Sequence, residues 1–210
     1  MKNIKTLCFL ILAFGLLISC SNEAEIGSSI TIYPILTING DDIVLINRGT
    51  TYVESGAKAT AGTANLPVKT SGMVNSNVIG VYKVTYEAFN SDGFSVSAIR
   101  TVIVIDPNPS KINLAGDWFR GANKNVITRN SDRVYQCDNA TGYITGNDNN
   151  LKMTFYNLDD TKIYAPFQEN ASKTGLSAES NIGTITGANS FNWVLNASGF
   201  FGTAVRSFVR

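Results

Sequence analysis

The chain has 210 residues, of which 44% are apolar and 16% charged, with a net charge of +1 and no histidine. Without histidine, Ser-His-Asp and Cys-His catalysis and the usual zinc and copper sites are excluded, which leaves carboxylate, lysine or tyrosine chemistry. A balance so close to zero carries no electrostatic footprint for nucleic acid or for an anionic lipid surface.

Lys2 and Lys5 precede an uncharged run from Thr6 to Ser19. A membrane span needs about 20 apolar residues, whereas the apolar region of a signal peptide has about 7–15, so residues 1–19 read as a signal peptide. The run ends in Leu17-Ile18-Ser19-Cys20, which resembles the lipobox of bacterial lipoproteins. That resemblance implies acylation of the Cys20 thiol and cleavage before it. Each methylene of the acyl chains contributes about 0.8 kcal/mol to anchoring. Residues 20–29 form the lipidated tether. Its Ser21-Asn22-Glu23-Ala24-Glu25 resembles the export signal that sends Bacteroidetes lipoproteins to the cell surface, and a plain solvated tether has the same composition. The expected address is the outer membrane, facing outward. Cys8 leaves with the signal, so Cys137 is the one free thiol of the mature chain and no intrachain disulfide can form. It lies in the strand-like Arg133-Val134-Tyr135-Gln136-Cys137 and is expected to be buried and inert.

Beyond the tether, glycine, asparagine, threonine, serine and β-branched residues are plentiful, and no long stripe of period 3.6 appears, so the class is all-β. Residues 30–106 read as short strands broken by turns. Ile43-Val44-Leu45-Ile46 precedes an Asn47-Arg48-Gly49 turn. Gly80 to Ala88 alternates strictly, with Tyr82, Val84, Tyr86 and Ala88 on one face and Lys83, Thr85 and Glu87 on the other. Asn90-Ser91-Asp92-Gly93 turns the chain into a partner strand, Ser95 to Ile105. About seven strands over this length suggest a sandwich. The spacing Leu36-x-x-x-Gly40, Gly49-x-x-Tyr52-x-x-x-Gly56-x-x-Ala59, Gly80-x-Tyr82-x-Val84-x-Tyr86-x-Ala88, Gly93 and Arg100-x-Val102-x-Val104 resembles the immunoglobulin-like domains of bacterial surface proteins. The resemblance implies a spacer or adhesive module, with Tyr82 in a tyrosine corner. Asp41-Asp42 reads as a solvated turn.

Asp106-Pro107-Asn108-Pro109-Ser110 reads as a stiff, extended hinge (107–111 in domain terms), because neither proline can donate a hydrogen bond and both bias the residue before them away from helix. Residues 112–210 carry both tryptophans and form a second antiparallel domain. Its candidate strands are 116–120, 133–137, 142–146, 151–157, 161–165, 182–186, 190–196 and 203–209, with a turn at Ser198-Gly199 among others. Eight strands imply a barrel or a sandwich. Gly116-Asp117-Trp118 resembles the Gly-x-Trp opening of lipocalin-like barrels, with Arg206 or Arg210 to cover the indole. The order of segments resembles that of Bacteroidetes lipoproteins associated with polysaccharide uptake.

Two functions are compatible with this reading. In one, a surface lipoprotein presents aromatic platforms to polysaccharide. Tyr156, which points opposite Met153 and Phe155, is the first candidate, and Tyr164, Phe200 and Phe201 near turns join it. In the other, the chain is a structural or protein-partner module of an outer-membrane complex. Asp117, Asp132, Asp138 and Glu169 are available for hydrolytic chemistry, but nothing pairs them, so the chain reads as a non-enzyme without cofactor or metal.

Overall fold

The structure is a computed structural model that describes residues 30–197 and 199–210. The signal-like segment, Cys20 and the Ser198 half of the expected turn lie outside the described residues. Ile32–Arg210 forms one compact unit, built from two β domains.

In the first domain the strands are β1 (Ile35–Ile38), β2 (Ile43–Asn47), β3 (Ala57–Ala61), β4 (Ala64–Leu66), β5 (Lys69–Ser71), β6 (Gly80–Phe89) and β7 (Ser95–Ile105). They make two sheets, β1-β3-β4 and β2-β7-β6-β5. The long hairpin β6–β7 runs in unbroken register from Phe89↔Ser95 to Gly80↔Val104. Its alternation buries Val84, Tyr86 and Ala88, as the sequence pattern predicts. Gly93 closes the hairpin turn at φ +85, a conformation that a β-carbon disfavours. The Tyr82 hydroxyl donates to the Val78 carbonyl at 2.9 Å, which forms the expected tyrosine corner.

The second domain contributes β8 (Gly116–Arg120), β9 (Asn123–Arg129), β10 (Val134–Cys137), β11 (Met153–Asn157), β12 (Lys162–Tyr164), β13 (Ala178–Ser180), β14 (Gly183–Gly187), β15 (Ser190–Ala197) and β16 (Val205–Val209). From β8 to β16, leaving out β13, each strand pairs antiparallel with the next, and β16 returns to β8 through Val209↔Phe119. Eight strands therefore close a barrel, which decides between barrel and sandwich. Short β13 pairs with the far end of β15. An eight-stranded barrel has room inside for little more than side chains, and this one is filled by Phe155, Phe191, Trp193 and Phe208, with neighbouring ring centroids 5.0–5.6 Å apart.

Three strand assignments of the second domain differ from expectation, one of them the short β13, which the sequence pattern does not offer. Residues 142–146 form a turn, because the Asn139 amide donates to the carbonyls of Lys124 and Tyr143 at 2.9 and 2.8 Å and gathers the chain. Strand β9 is absent from the sequence pattern: a buried Asn125 takes one of its inward positions and hides the alternation. The Asn125 side-chain oxygen accepts the Asn139 N–H at 3.0 Å.

The barrel base matches the lipocalin-like expectation. Trp118 is fully buried, its indole N–H donates to the Leu114 carbonyl at 2.7 Å, and the Arg210 guanidinium lies 4.5 Å from its ring centroid. Arg206 instead donates to the carbonyls of Gly202 and Ala204.

The Pro-rich segment is fastened to the barrel rather than free. The Asp106 N–H donates to the Leu158 carbonyl at 2.8 Å. Buried Arg133 donates to the Asn108 carbonyl and to Asp160, both at 2.9 Å. Asp160 also accepts the Ser110 hydroxyl at 2.6 Å. Beside this clamp, Ile103 and Ile105 of the sandwich and Leu158 and Tyr164 of the barrel form one buried apolar cluster, edged by Ile43, Val81 and Tyr156.

Candidate functional site

The four aromatic residues expected to bind ligand fall into two places. Tyr156 and Tyr164 sit opposite each other on β11 and β12 and point outward, since Met153, Phe155 and Ile163 fill the interior. The outward direction is as expected, but the face is covered by the first domain. Tyr164 is only 3% exposed. Its hydroxyl donates to Glu179, and burial together with that acceptor pushes its pKa far above the usual phenol range. Lys83 of the first domain lies 2.7 Å from the same carboxylate. Tyr156 is half-buried at the edge of the shared cluster, and burial raises its pKa too. Neither is an exposed platform, which strand alternation suggests for Tyr156 and a position near a turn suggests for Tyr164.

Phe200 and Phe201 come together at the other end of the barrel. Their centroids are 4.8 Å apart, and Tyr143, which belongs to a turn and not to the expected strand, completes the cluster at 5.9 and 5.6 Å from them. All three pairs meet edge to face. Phe201 packs against the barrel core and under Arg206, whereas Phe200 is 52% exposed. One ring is thus anchored and the other presented.

A polar groove of about 660 Å³ opens on the outer face near the same end. Lys124, Gln136, Asp138 and Lys152 come from β9, the end of β10 and the start of β11, and Asn139 and Asn150 from the loop between those last two. Asn139 links groove and aromatic cluster: it belongs to the groove wall, and its buried side-chain amide holds the Tyr143 carbonyl. Some of the charges pair along the walls, Lys124 with Asp117 at 2.6 Å and Lys173 with Asp148 at 2.9 Å, while Asp138 accepts a backbone N–H and Lys152 adds a further cation to the lining. The result is a groove rich in amides and ion pairs. In the sequence, Gly146-Asn147-Asp148-Asn149-Asn150 signals a turn; that this turn also walls a groove depends on residues 170–173 meeting it from across the barrel rim.

The carboxylates are engaged separately. Asp117 meets Lys124, Asp132 meets Arg129, and Asp138 accepts the Val126 N–H at 2.7 Å. Cys137 is fully buried, and burial pushes its thiol up to about 12.

Residues 36–104 match the family model of the bacterial surface protein Ig-like domain. The first domain is immunoglobulin-like. This Ig-like domain points to a protein of the cell surface. No curated protein matches the chain. Among solved structures, a lipoprotein from Bacteroides thetaiotaomicron is similar at 21% identity over 85% of this chain and 100% of that one, with a TM-score of 0.38. A catalytic domain with two CBM51 domains from Clostridium perfringens ZmpB is similar at 13% identity over 86% of this chain, TM-score 0.35. A further structure of that protein, CBM51-2 with GlcNAc and INT domains, is similar at 15% identity over 84% of this chain, TM-score 0.31. The chain spans only 21% and 41% of these two ZmpB chains.

Proposed function

We propose that the protein is a surface-exposed, lipid-anchored binding module whose barrel binds neutral polysaccharide at the rim formed by Phe200, Tyr143 and the adjoining groove. The observation that carries this reading is the linkage, through Asn139, of an exposed aromatic ring to a groove lined with amides. Sugar rings present C–H faces that stack on aromatics, and hydroxyls that pair with amides and carboxylates. A groove lined by charges of both signs, with Lys124, Lys173 and Asp148 already paired, offers no strong net attraction to an ion and suits a neutral ligand, so binding should persist at high salt, where exposed charge contacts are screened.

The test is retention of the full chain in gels cast with a panel of polysaccharides. Phe200→Ala should weaken retention roughly tenfold, the equivalent of about half an aromatic side chain's transfer free energy, with little change in melting temperature. Retention by no polysaccharide would favour the protein-partner reading instead. The anchor is tested separately: Cys20→Ala should abolish labelling by a clickable palmitate analogue, and undiminished labelling would refute the lipoprotein reading.

A further inference from the structure

The Ig-like domain carries an apolar patch that neither its own core nor the barrel uses. Ile32, Tyr33, Phe89 and Phe94 are 51%, 63%, 49% and 42% exposed. Ile32, Tyr33 and Phe94 are drawn together from two stretches of chain, and Phe89 stands beside them on the other face of the hairpin end. Phe89 and Phe94 flank the tip of the β6–β7 hairpin, while Ile32 and Tyr33 lie where the chain enters the domain. The Tyr33 and Phe94 rings meet edge to face with centroids 4.9 Å apart. The Asn90 side chain fixes the arrangement: its amide donates to the Ile32 carbonyl at 2.9 Å, and its oxygen accepts the N–H groups of Asp92 and Phe94 at 3.1 and 2.8 Å. The hairpin tip is therefore stapled to the point at which the chain enters. A cluster of exposed apolar side chains held in place by built hydrogen bonds marks an interaction surface.

We propose that this patch rests on the membrane to which the protein is anchored, with Tyr33, Phe89 and Phe94 at the headgroup level. The proposal rests on acylation of Cys20. Ile32 lies twelve positions after Cys20. At full extension that length of chain reaches no more than about 40 Å, and any shorter path brings the patch closer to the lipid. The bilayer is then the one apolar phase always within that reach. Tyr33, an amphipathic ring with a polar tip, suits the interface between headgroups and acyl chains, and the wholly apolar rings of Phe89 and Phe94 suit its acyl side. Asp92 is the one charged residue in the Asn90–Gly93 turn, so contact is driven by apolar burial rather than attraction to anionic lipid. The patch lies at the end of β6–β7 opposite to Ile103 and Ile105, where the barrel packs. Docking would thus stand the hairpin up from the membrane and carry the barrel outward.

The experiment uses the full acylated protein with Ser91→Cys, labelled at the hairpin tip with a fluorophore. Cys137 is buried and does not compete. The protein is reconstituted in vesicles of phosphatidylethanolamine and phosphatidylcholine with brominated acyl chains. Bromine should quench the label, equally at low and high salt, and Tyr33→Ser with Phe94→Ser should abolish the quenching with only a small fall in melting temperature from the lost ring contact. Met73→Ser, an exposed apolar position outside the patch, should leave it unchanged. An absence of quenching in protein whose mass confirms acylation overturns the docking alone. Protein whose mass lacks acyl chains overturns the anchor and the docking with it. Quenching that survives the double substitution and follows the surface density of protein marks contact between copies, and also overturns the proposal.

Discussion

Arg100 shows how a small sandwich without a disulfide holds a buried charge. It is 2% exposed and meets Glu54, while its other nitrogens reach the carbonyls of Asn39 and Asp41. Tyr52 donates to Glu54 at 2.5 Å, Tyr86 donates to it as well, and the Gly56 N–H adds a bond at 2.8 Å. Burial alone would raise the Glu54 pKa, but these hydrogen bonds and the Arg100 charge outweigh it, so the carboxyl lies below its ordinary value. A depressed carboxylate contributes stability that is complete above the unfolded-state pKa, 4.5 here, and is lost as pH falls through the folded value. Glu54→Gln should therefore cost about 2 kcal/mol near neutral pH, a figure reduced for partial exposure. The gap from the parent should close in denaturant melts taken below pH 4. The second residue-scale prediction concerns Cys137. Only the thiolate is reactive, and burial holds this thiol up at about 12. A thiol reagent should leave it unmodified in buffer and react at once in denaturant.

At the scale of elements, the barrel base depends on Arg210. Arg210 covers Trp118 and donates to the carbonyls of Ala115, Asn113 and Ala188, each at 2.9 Å. It thereby ties the end of β16 to the start of β8, the seam where the barrel closes. A cation over an indole contributes about 0.5–1 kcal/mol and each hydrogen bond about as much. Because these bonds are exposed and water competes for them, Arg210→Ala should lower stability by only about 1–2 kcal/mol and loosen the base, which would appear as faster amide exchange at β8 and β16. The same substitution should leave polysaccharide retention intact, because the proposed site lies at the other rim.

At the scale of the whole molecule, the junction between domains decides what Tyr164 does. The ring is enclosed with Ile103, Ile105 and Leu158. Tyr164→Ala should therefore lower the melting temperature, at a cost of about 3 kcal/mol as for other large-to-small core changes, rather than remove a binding contact. We propose that each domain nonetheless folds by itself, since each has its own sheet hydrogen bonding and its own core. A chain ending at Asp106 and one starting at Ser110 should each unfold in a single cooperative transition. Both should melt below the full chain, because separation exposes the shared cluster and breaks the Arg133–Asp160 clamp. If neither half folds alone, the junction is part of a single core.

The sequence by itself determined whatever depends on neighbours along the chain. Alternation from Gly80 to Ala88 set the buried face of β6, the Asn90–Gly93 turn set its hairpin, and the spacing of Tyr82 and Val84 set the tyrosine corner. Gly116-x-Trp118 set the barrel plug. Each rests on local backbone geometry or on a short, regular repeat. Tertiary structure decided what depends on which surfaces meet. It chose Arg210 over Arg206 as the cover for Trp118. It closed eight strands into a barrel, with a polar strand β9 whose buried Asn125 erased the alternation. It also covered Tyr156 and Tyr164 with the first domain while leaving Phe200 exposed. Alternation reports which side of a strand a residue faces and is silent about what lies on the outer side. That is settled only when distant segments, here Ile103 and Leu158, pack against each other.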